Sequence, residues 1–325
     1  MFRKIKKENI VKIVEILMKD YDVLAPKRKE ERFVFEKIKN PEEVILDYDT
    51  TILPPKKFFL PPVETMMRFD NSKIGIPENN KKTFFFGIHP CDLNAIDLLD
   101  KVEYGDYKDP YYIKKRENSV FVCLECKEAN EYCFCESMGS DKPKKYDVLL
   151  TDIGNYYFAE TGSRKGEEII KDKLFENAEE NEKIIRKKKF VRKMNPENLD
   201  KILEEKFDHK IWDELGDKCL GCGSCSFVCP TCYCYSVKDI VDLSLKKGER
   251  RRVWDSCLLV DFARVAGGHN FRGKRSARMK QRIYHKELYF FEKYNTSACV
   301  GCGRCIRECP VGIDVTDVIS KIRRG

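Results

Sequence analysis

Cys219-Leu220-Gly221-Cys222-Gly223-Ser224-Cys225-Ser226-Phe227-Val228-Cys229-Pro230 is the stretch that decides how this chain is read. It has a counterpart nearer the C-terminus, Cys299-Val300-Gly301-Cys302-Gly303-Arg304-Cys305-Ile306-Arg307-Glu308-Cys309-Pro310, and both follow C-x2-C-x2-C-x3-C-P. Three thiolates at this spacing wrap one face of a [4Fe-4S] cubane, and the fourth, beside proline, points away toward the other cluster of a two-cluster unit. Zinc is the competing reading of paired Cys-x2-Cys elements. Zinc sites rarely add a third Cys two residues on and then a Cys-Pro, so the spacing predicts two [4Fe-4S] clusters. With fourth ligands exchanged, the sets are Cys219, Cys222, Cys225 with Cys309, and Cys299, Cys302, Cys305 with Cys229.

A compact two-cluster ferredoxin keeps its motifs close, but here a long segment separates Cys229 from Cys299. Apolar residues recur at helical spacing after each motif: Val237, Ile240, Val241, Leu243 and Leu245, then Val315, Val318, Ile319 and Ile322. Strand signals are weak. Residues 216–325 are therefore expected to form an α-helical ferredoxin-type domain. Upstream, residues 166–215 are charged and cysteine-free and read as a helical connector.

Residues 1–165 read as an α/β domain, which makes the chain α+β overall. Ile10, Val11, Ile13, Val14, Ile16 and Leu17 fit an opening amphipathic helix. Pro54-Pro55 and Pro61-Pro62 flank Lys56-Lys57-Phe58-Phe59-Leu60, which suggests an extended segment laid across a surface, with the aromatic pair expected in core packing rather than as a docking patch. Thr83 to Ile88 and Ser119 to Cys123 look like buried strands. After the first come His89-Pro90-Cys91-Asp92, with Asp92 as a candidate helix cap, and a helical face of Leu93, Ala95, Ile96, Leu98 and Leu99. Tyr146 to Asp152 and Tyr156 to Glu160 read as a hairpin.

This domain holds five cysteines: Cys91, Cys123, Cys126, Cys133 and Cys135. Cys123 lies in an apolar strand, where a thiol behaves as a small hydrophobe. The other four are candidates for a third cluster; zinc or unligated thiols are the alternatives, because Cys133-x-Cys135 is an unusual cubane spacing. Cys232, Cys234 and Cys257 remain as core, as thiols that tune a cluster, or as spare ligands, for instance Cys232 in place of Cys229.

Composition narrows the class. The 325 residues are 36% charged and 42% hydrophobic, with a net charge of +8, which does not by itself imply nucleic acid. Sixteen cysteines, no run of 18 apolar residues and no signal-peptide pattern at Met1 to Glu8 point to a cytoplasmic metal protein rather than a secreted or membrane one. Residues 250–286 carry eleven Lys and Arg, among them Arg250, Arg251, Arg252, Arg272, Arg275, Arg278 and Arg282. They would raise the potential of an anionic cluster, dock an acidic partner or form a solvated face. Without a P-loop or a stacking platform, nucleic acid is not expected. No G-x-G-x-x-G follows a strand and no hydrolytic triad stands out, so no nucleotide or flavin is expected on this chain and no residue is assigned a catalytic role. His269, beside Gly267-Gly268, reads as a structural residue.

Several elements occur together: both cysteine motifs, Cys229-Pro230-Thr231-Cys232-Tyr233-Cys234, Trp254-Asp255-Ser256-Cys257, Ala266-Gly267-Gly268-His269-Asn270-Phe271-Arg272, His89 to Asp92, Tyr111-Tyr112 and Tyr132 to Cys135. In this combination the chain resembles, over nearly its whole length, the β subunit of cytoplasmic sulfhydrogenases and the related iron–sulfur subunit of anaerobic sulfite reductases. The resemblance implies an electron-carrying subunit between an FAD-containing, NAD(P)H-oxidising subunit and a NiFe or sirohaem catalytic subunit. It also implies Cys91, Cys126, Cys133 and Cys135 as ligand positions. A stand-alone ferredoxin-like carrier, or an adaptor in a heterodisulfide- or formate-type complex, is the alternative.

Overall fold

The computed structural model describes residues 1–71, 73–77 and 81–324. Among the described residues twelve strands form two sheets: β1 (Phe2–Lys6), β2 (Asp22–Lys29), β3 (Arg32–Lys37), β4 (Val63–Asp70), β5 (Lys73–Gly75), β6 (Thr83–Ile88), β7 (Ser119–Leu124), β8 (Val148–Asp152), β9 (Tyr156–Thr161), β10 (Phe175–Asn177), β11 (Tyr235–Val241) and β12 (Lys247–Trp254). The larger sheet has the order β10-β1-β9-β8-β7-β6-β2-β3. Its centre, β2, β6, β7 and β8, is parallel. The flanking strands are antiparallel, including the β8–β9 hairpin that the Gly154-Asn155 turn signals.

A parallel centre needs apolar cover on both faces, and the alternation along β6 and β7 supplies it. Phe84, Phe86, Val120 and Val122 face a core closed by helix Ile10–Leu17. Phe85, Phe121 and Cys123 face the opposite core, which contains Leu93, Ile96 and Leu99 of helix Pro90–Glu103 and Tyr112 of helix Pro110–Glu117. Phe85 stacks on both Phe59 and Phe121, with ring centroids 5.0 Å from each, and those two rings are 6.1 Å from one another; each such pair adds about 0.5–1.5 kcal/mol beyond burial. Phe59 therefore belongs to the core. The proline-flanked segment is not extended across a surface: Pro55 starts a single 3-10 turn, Pro55–Phe58, that drives Lys56 and Phe59 inward. Asp92 does not cap its helix either. Helix Pro90–Glu103 begins at Pro90, with His89 in the cap position, and Asp92 lies in the first turn.

The C-terminal part is not purely helical. Val237, Ile240 and Val241 lie in β11, which pairs antiparallel with β12, and β12 continues onto β4 in the sheet β11-β12-β4-β5. Two of its four strands thus come from the N-terminal part of the chain and two from the segment between the cysteine motifs. Elsewhere in this part helices prevail. Val315, Val318, Ile319 and Ile322 are the buried stripe of helix Val315–Arg324. They share a core with Trp212, Leu215, Met279 and Ile283. Residues 166–215 contribute β10 to the edge of the large sheet and two helices, Leu199–Glu205 and Ile211–Lys218, to this second core.

Candidate metal centres

Both cysteine motifs fold by the same local rule. In the first, Cys219 follows helix Ile211–Lys218, Gly221 and Gly223 take φ of +69° and +76°, and the short helix Ser224–Phe227 carries Cys225. In the second, Gly301 and Gly303 take +62° and +75° ahead of helix Arg304–Arg307. Left-handed backbone at these positions turns the chain back on itself, and only glycine adopts it without strain. Amide N–H groups then point at sulfur: Gly221 N–H donates to Cys219 Sγ at 3.3 Å, Gly301 N–H to Cys299 Sγ at 3.5 Å and Ile313 N–H to Cys309 Sγ at 3.2 Å.

Two cavities lie between the motifs. The first is lined by Cys219, Cys222, Cys225, Cys305 and Cys309. The second is lined by Cys299, Cys302, Cys305 and Cys229. The second cavity thus takes three thiols of its own motif and the Cys-Pro thiol of the other; the first takes three of its own, the Cys-Pro thiol Cys309, and Cys305, which lines both. The thiols of each cavity ring a space, which suits a multi-iron cluster whose metal corners stand apart.

Buried cations surround these cavities. Arg282 lines both and is 6% exposed. Lys286, 7% exposed, donates to Thr231 Oγ1 at 2.7 Å and to the Ala298 carbonyl at 3.3 Å. Lys56, 4% exposed, donates to the Cys232 carbonyl at 2.6 Å and lies over the Trp254 ring. Arg278 donates to the Arg272 and Gly273 carbonyls. None of these four forms an ion pair with a carboxylate among the described residues. Burial works against the Lys286 charge, but Cys229, Cys232 and Cys299 raise its pKa. An unpaired buried cation costs several kcal/mol, so the donor set fits a dianionic thiolate cluster in each cavity. Sequence reasoning missed Lys56 and Lys286. Nothing local marks them, because their neighbours come from other parts of the chain.

The remaining candidate ligands sit at the carboxyl ends of β6 and β7, where open parallel sheets place their sites. Cys91 is in the first turn after β6, Cys126 lies two residues past β7, and Cys133 and Cys135 lie in the loop leading to β8. The structure brings that loop against the second motif. Phe134 N–H donates to the Gly301 carbonyl at 2.8 Å, the Cys133 thiol points at the Cys302 carbonyl at 3.7 Å, and Cys91 packs on Val300 and Cys302. A Cβ on Gly301 or Gly303 would come within 2.6 Å of the Phe134 carbonyl or 2.4 Å of the Tyr132 carbonyl, so both glycines are also needed for close approach.

The four thiols share one electrostatic neighbourhood. Burial, then Cys302 and Cys126, pushes Cys133 up to about 12. Burial and then Cys133 and Cys126 push Cys135 up, while burial on Cys126 is outweighed by His89, which pulls its thiol down. His89 is 3% exposed, with Nδ1 at 3.0 Å from the Leu124 carbonyl and Nε2 at 3.2 Å from the Tyr48 carbonyl. Two carbonyl acceptors require two N–H donors, so His89 is an imidazolium. Asp92, read from sequence as a cap, instead makes a two-pronged ion pair with Arg304, at 2.6 and 2.7 Å. Arg304 also donates to Thr51, through its carbonyl at 2.7 Å and its Oγ1 at 3.1 Å. This arginine stands inside the second motif, between Cys302 and Cys305.

Cys123 is fully buried in β7, packed in the apolar core. Cys232 hydrogen-bonds Cys229, and Cys234 hydrogen-bonds Cys257. The basic residues of 250–286 divide: Arg250 pairs with Asp239 on the surface, Arg252 is buried between Glu64 and Asp109, Arg278 lies beside Gly221 and Arg282 lines both thiol cavities.

A family model described as a 4Fe-4S dicluster domain matches residues 218–313. The sulfhydrogenase 2 subunit beta of Pyrococcus furiosus is 37% identical over 313 residues, covering 93% of this chain and 92% of that protein. The F420-dependent formate dehydrogenase 1 subunit beta of Methanococcus maripaludis is 25% identical over 172 residues, covering 46% of this chain and 42% of that protein. No solved structure matches the chain.

Proposed function

The chain belongs to the sulfhydrogenase beta-subunit family, and from that premise we propose that it is the iron–sulfur subunit of a hydrogenase-type complex, carrying electrons between a hydride-oxidising flavoprotein and a catalytic partner. Cys219, Cys222, Cys225 and Cys309 would hold one [4Fe-4S] cluster, and Cys299, Cys302, Cys305 and Cys229 a second. Cys91, Cys126, Cys133 and Cys135 would hold a third. When bound, such a cluster takes up and returns one electron. The chain's residues fix the positions of the three sites and set their charge environment. The partners of this reading are an FAD-containing subunit that oxidises NAD(P)H and a NiFe or sirohaem subunit that reduces protons, sulfur or sulfite.

The observation that carries the proposal is the interleaving of the two motifs: each cavity is lined by three thiols of one motif together with the Cys-Pro thiol of the other, with buried cations beside them that form no carboxylate ion pair among the described residues. None of the described helices is long and apolar enough to cross a membrane, which is consistent with a relay outside the lipid. The test is anaerobic purification through this chain, with iron analysis and identification of what co-purifies. Three cubanes give about 12 iron per chain and two give about 8, at four each. A flavoprotein together with a NiFe or sirohaem subunit supports the relay. The chain alone, with its clusters intact, supports a free carrier. The likeness to a formate dehydrogenase β subunit favours a second reading, an adaptor to a formate-oxidising partner, which the same purification would identify.

A further inference from the structure

Arg282 and Lys286 stand four residues apart along helix Arg275–Tyr284 and its continuation His285–Tyr289, so they rise on one face. They differ in reach. Lys286 lines only the second cavity, whereas Arg282 lines both, between Cys225 of the first motif and Cys305 of the second. Its guanidinium makes a long contact, 3.4 Å from Nη2 to the Cys225 carbonyl, and hydrogen-bonds the Cys305 thiol, while its buried Nε has no hydrogen-bond partner among the described residues. The nearby carboxyl, Glu287, lines the second cavity but accepts from the Ser297 hydroxyl at 2.7 Å and does not pair with Arg282. A guanidinium offers five donors and is rarely left this poorly matched in a protein interior.

We infer that Arg282 is a positioning residue shared by the two cluster sites, one cation placed so that its charge acts on both potentials at once. The inference rests on the cluster assignment proposed above. Positive charge beside a thiolate-bound cluster favours the added electron and raises its potential. A charge between two clusters does so for both, without any movement of the chain, whereas the electron added to one cluster repels the electron added to the other. Lys286 acts on the second alone.

The test is an EPR-monitored redox titration of the full chain loaded with iron and sulfide, with the two signals assigned through Cys309→Ser and Cys229→Ser. Arg282→Gln is expected to lower both midpoints, each by about a tenfold change in the one-electron equilibrium, ~59 mV. Lys286→Met lowers only the midpoint assigned to the second cavity. Arg282→Lys, which keeps the charge, leaves both near the parent values. If Arg282→Gln does not retain iron, Arg282→Lys decides: midpoints that stay together near the parent values support the inference, and displacement of one alone overturns it. Unmoved midpoints in an iron-replete Arg282→Gln chain also overturn it, and leave the relay reading intact. A parent chain that takes up no iron overturns the relay reading, and this inference with it.

Discussion

Replacing Asp92 with alanine removes one half of the pair that joins the N-terminal domain to the second cysteine motif. Arg304 is 2% exposed and Asp92 3%, so the substitution strands a guanidinium whose other protein acceptors are on Thr51. Breaking one side of a buried ion pair costs about 3–5 kcal/mol. Coulomb's law gives the same size: two charges ~4 Å apart at an effective dielectric of ~20 attract by about 4 kcal/mol. Arg304 also feels the thiols of Cys302 and Cys91, so anionic clusters should offset part of the loss, and the metal-free chain should suffer more than the loaded one. The assay is guanidinium unfolding followed by tryptophan fluorescence. Trp254 Nε1–H bonds the Leu60 carbonyl across the same junction, and Trp212 lies in the C-terminal core. Asp92→Leu with Arg304→Met should cost much less than the two single changes added together, because no charge is left unpaired. Additive losses, or an Asp92→Ala chain within ~1 kcal/mol of the parent, would refute the argument that a buried pair clamps these parts.

Other outcomes follow from the same geometry. Cys229→Ser should abolish the EPR signal of the second cluster and spare the first, and Cys309→Ser should do the reverse; loss within the mutated motif instead would mean the fourth ligands are not exchanged. Cys133→Ser should lower the iron content by about four per chain, at four iron per cubane. Phe59→Ala, which removes a ring 1% exposed and stacked on Phe85, should cost about 3–5 kcal/mol in denaturant unfolding. Burial, and then Asp109, raises Glu103 from an ordinary 4.5 to about 7. The folded chain therefore binds the proton more tightly than the unfolded one. Stability from this group is present below pH ~4.5 and lost as pH rises through about 7, by roughly 3 kcal/mol. Glu103→Gln should flatten that dependence; identical stability–pH curves for parent and variant between pH 6 and 8 would contradict it.

The apolar runs of β6 and β7 and the β8–β9 turn are legible because a strand buried on both faces, and a tight turn, leave local signatures. The two cysteine motifs are legible for a different reason, since ligand spacing is chemistry written directly in sequence. β11 is not. Val237 and Ile240 are about half exposed, so burial imposes no period-2 alternation, and its spacing imitates a helix. Its sheet is completed by β4, which belongs to the N-terminal part of the sequence, and no local window contains that partner. The same holds for Lys56 and Asp92: one is turned inward by a 3-10 turn where prolines suggest a surface strand, the other is drawn from capping by an arginine in a distant motif. Charges compensated across the chain are invisible to any reading that moves along it.

The Asp92–Arg304 pair also has a consequence in time. Its partners are 212 residues apart, so at translation rates of about 5–20 residues per second Asp92 waits roughly 10–40 s for its counter-ion. During that interval Cys91, Cys126, Cys133 and Cys135 have no second motif to cover them.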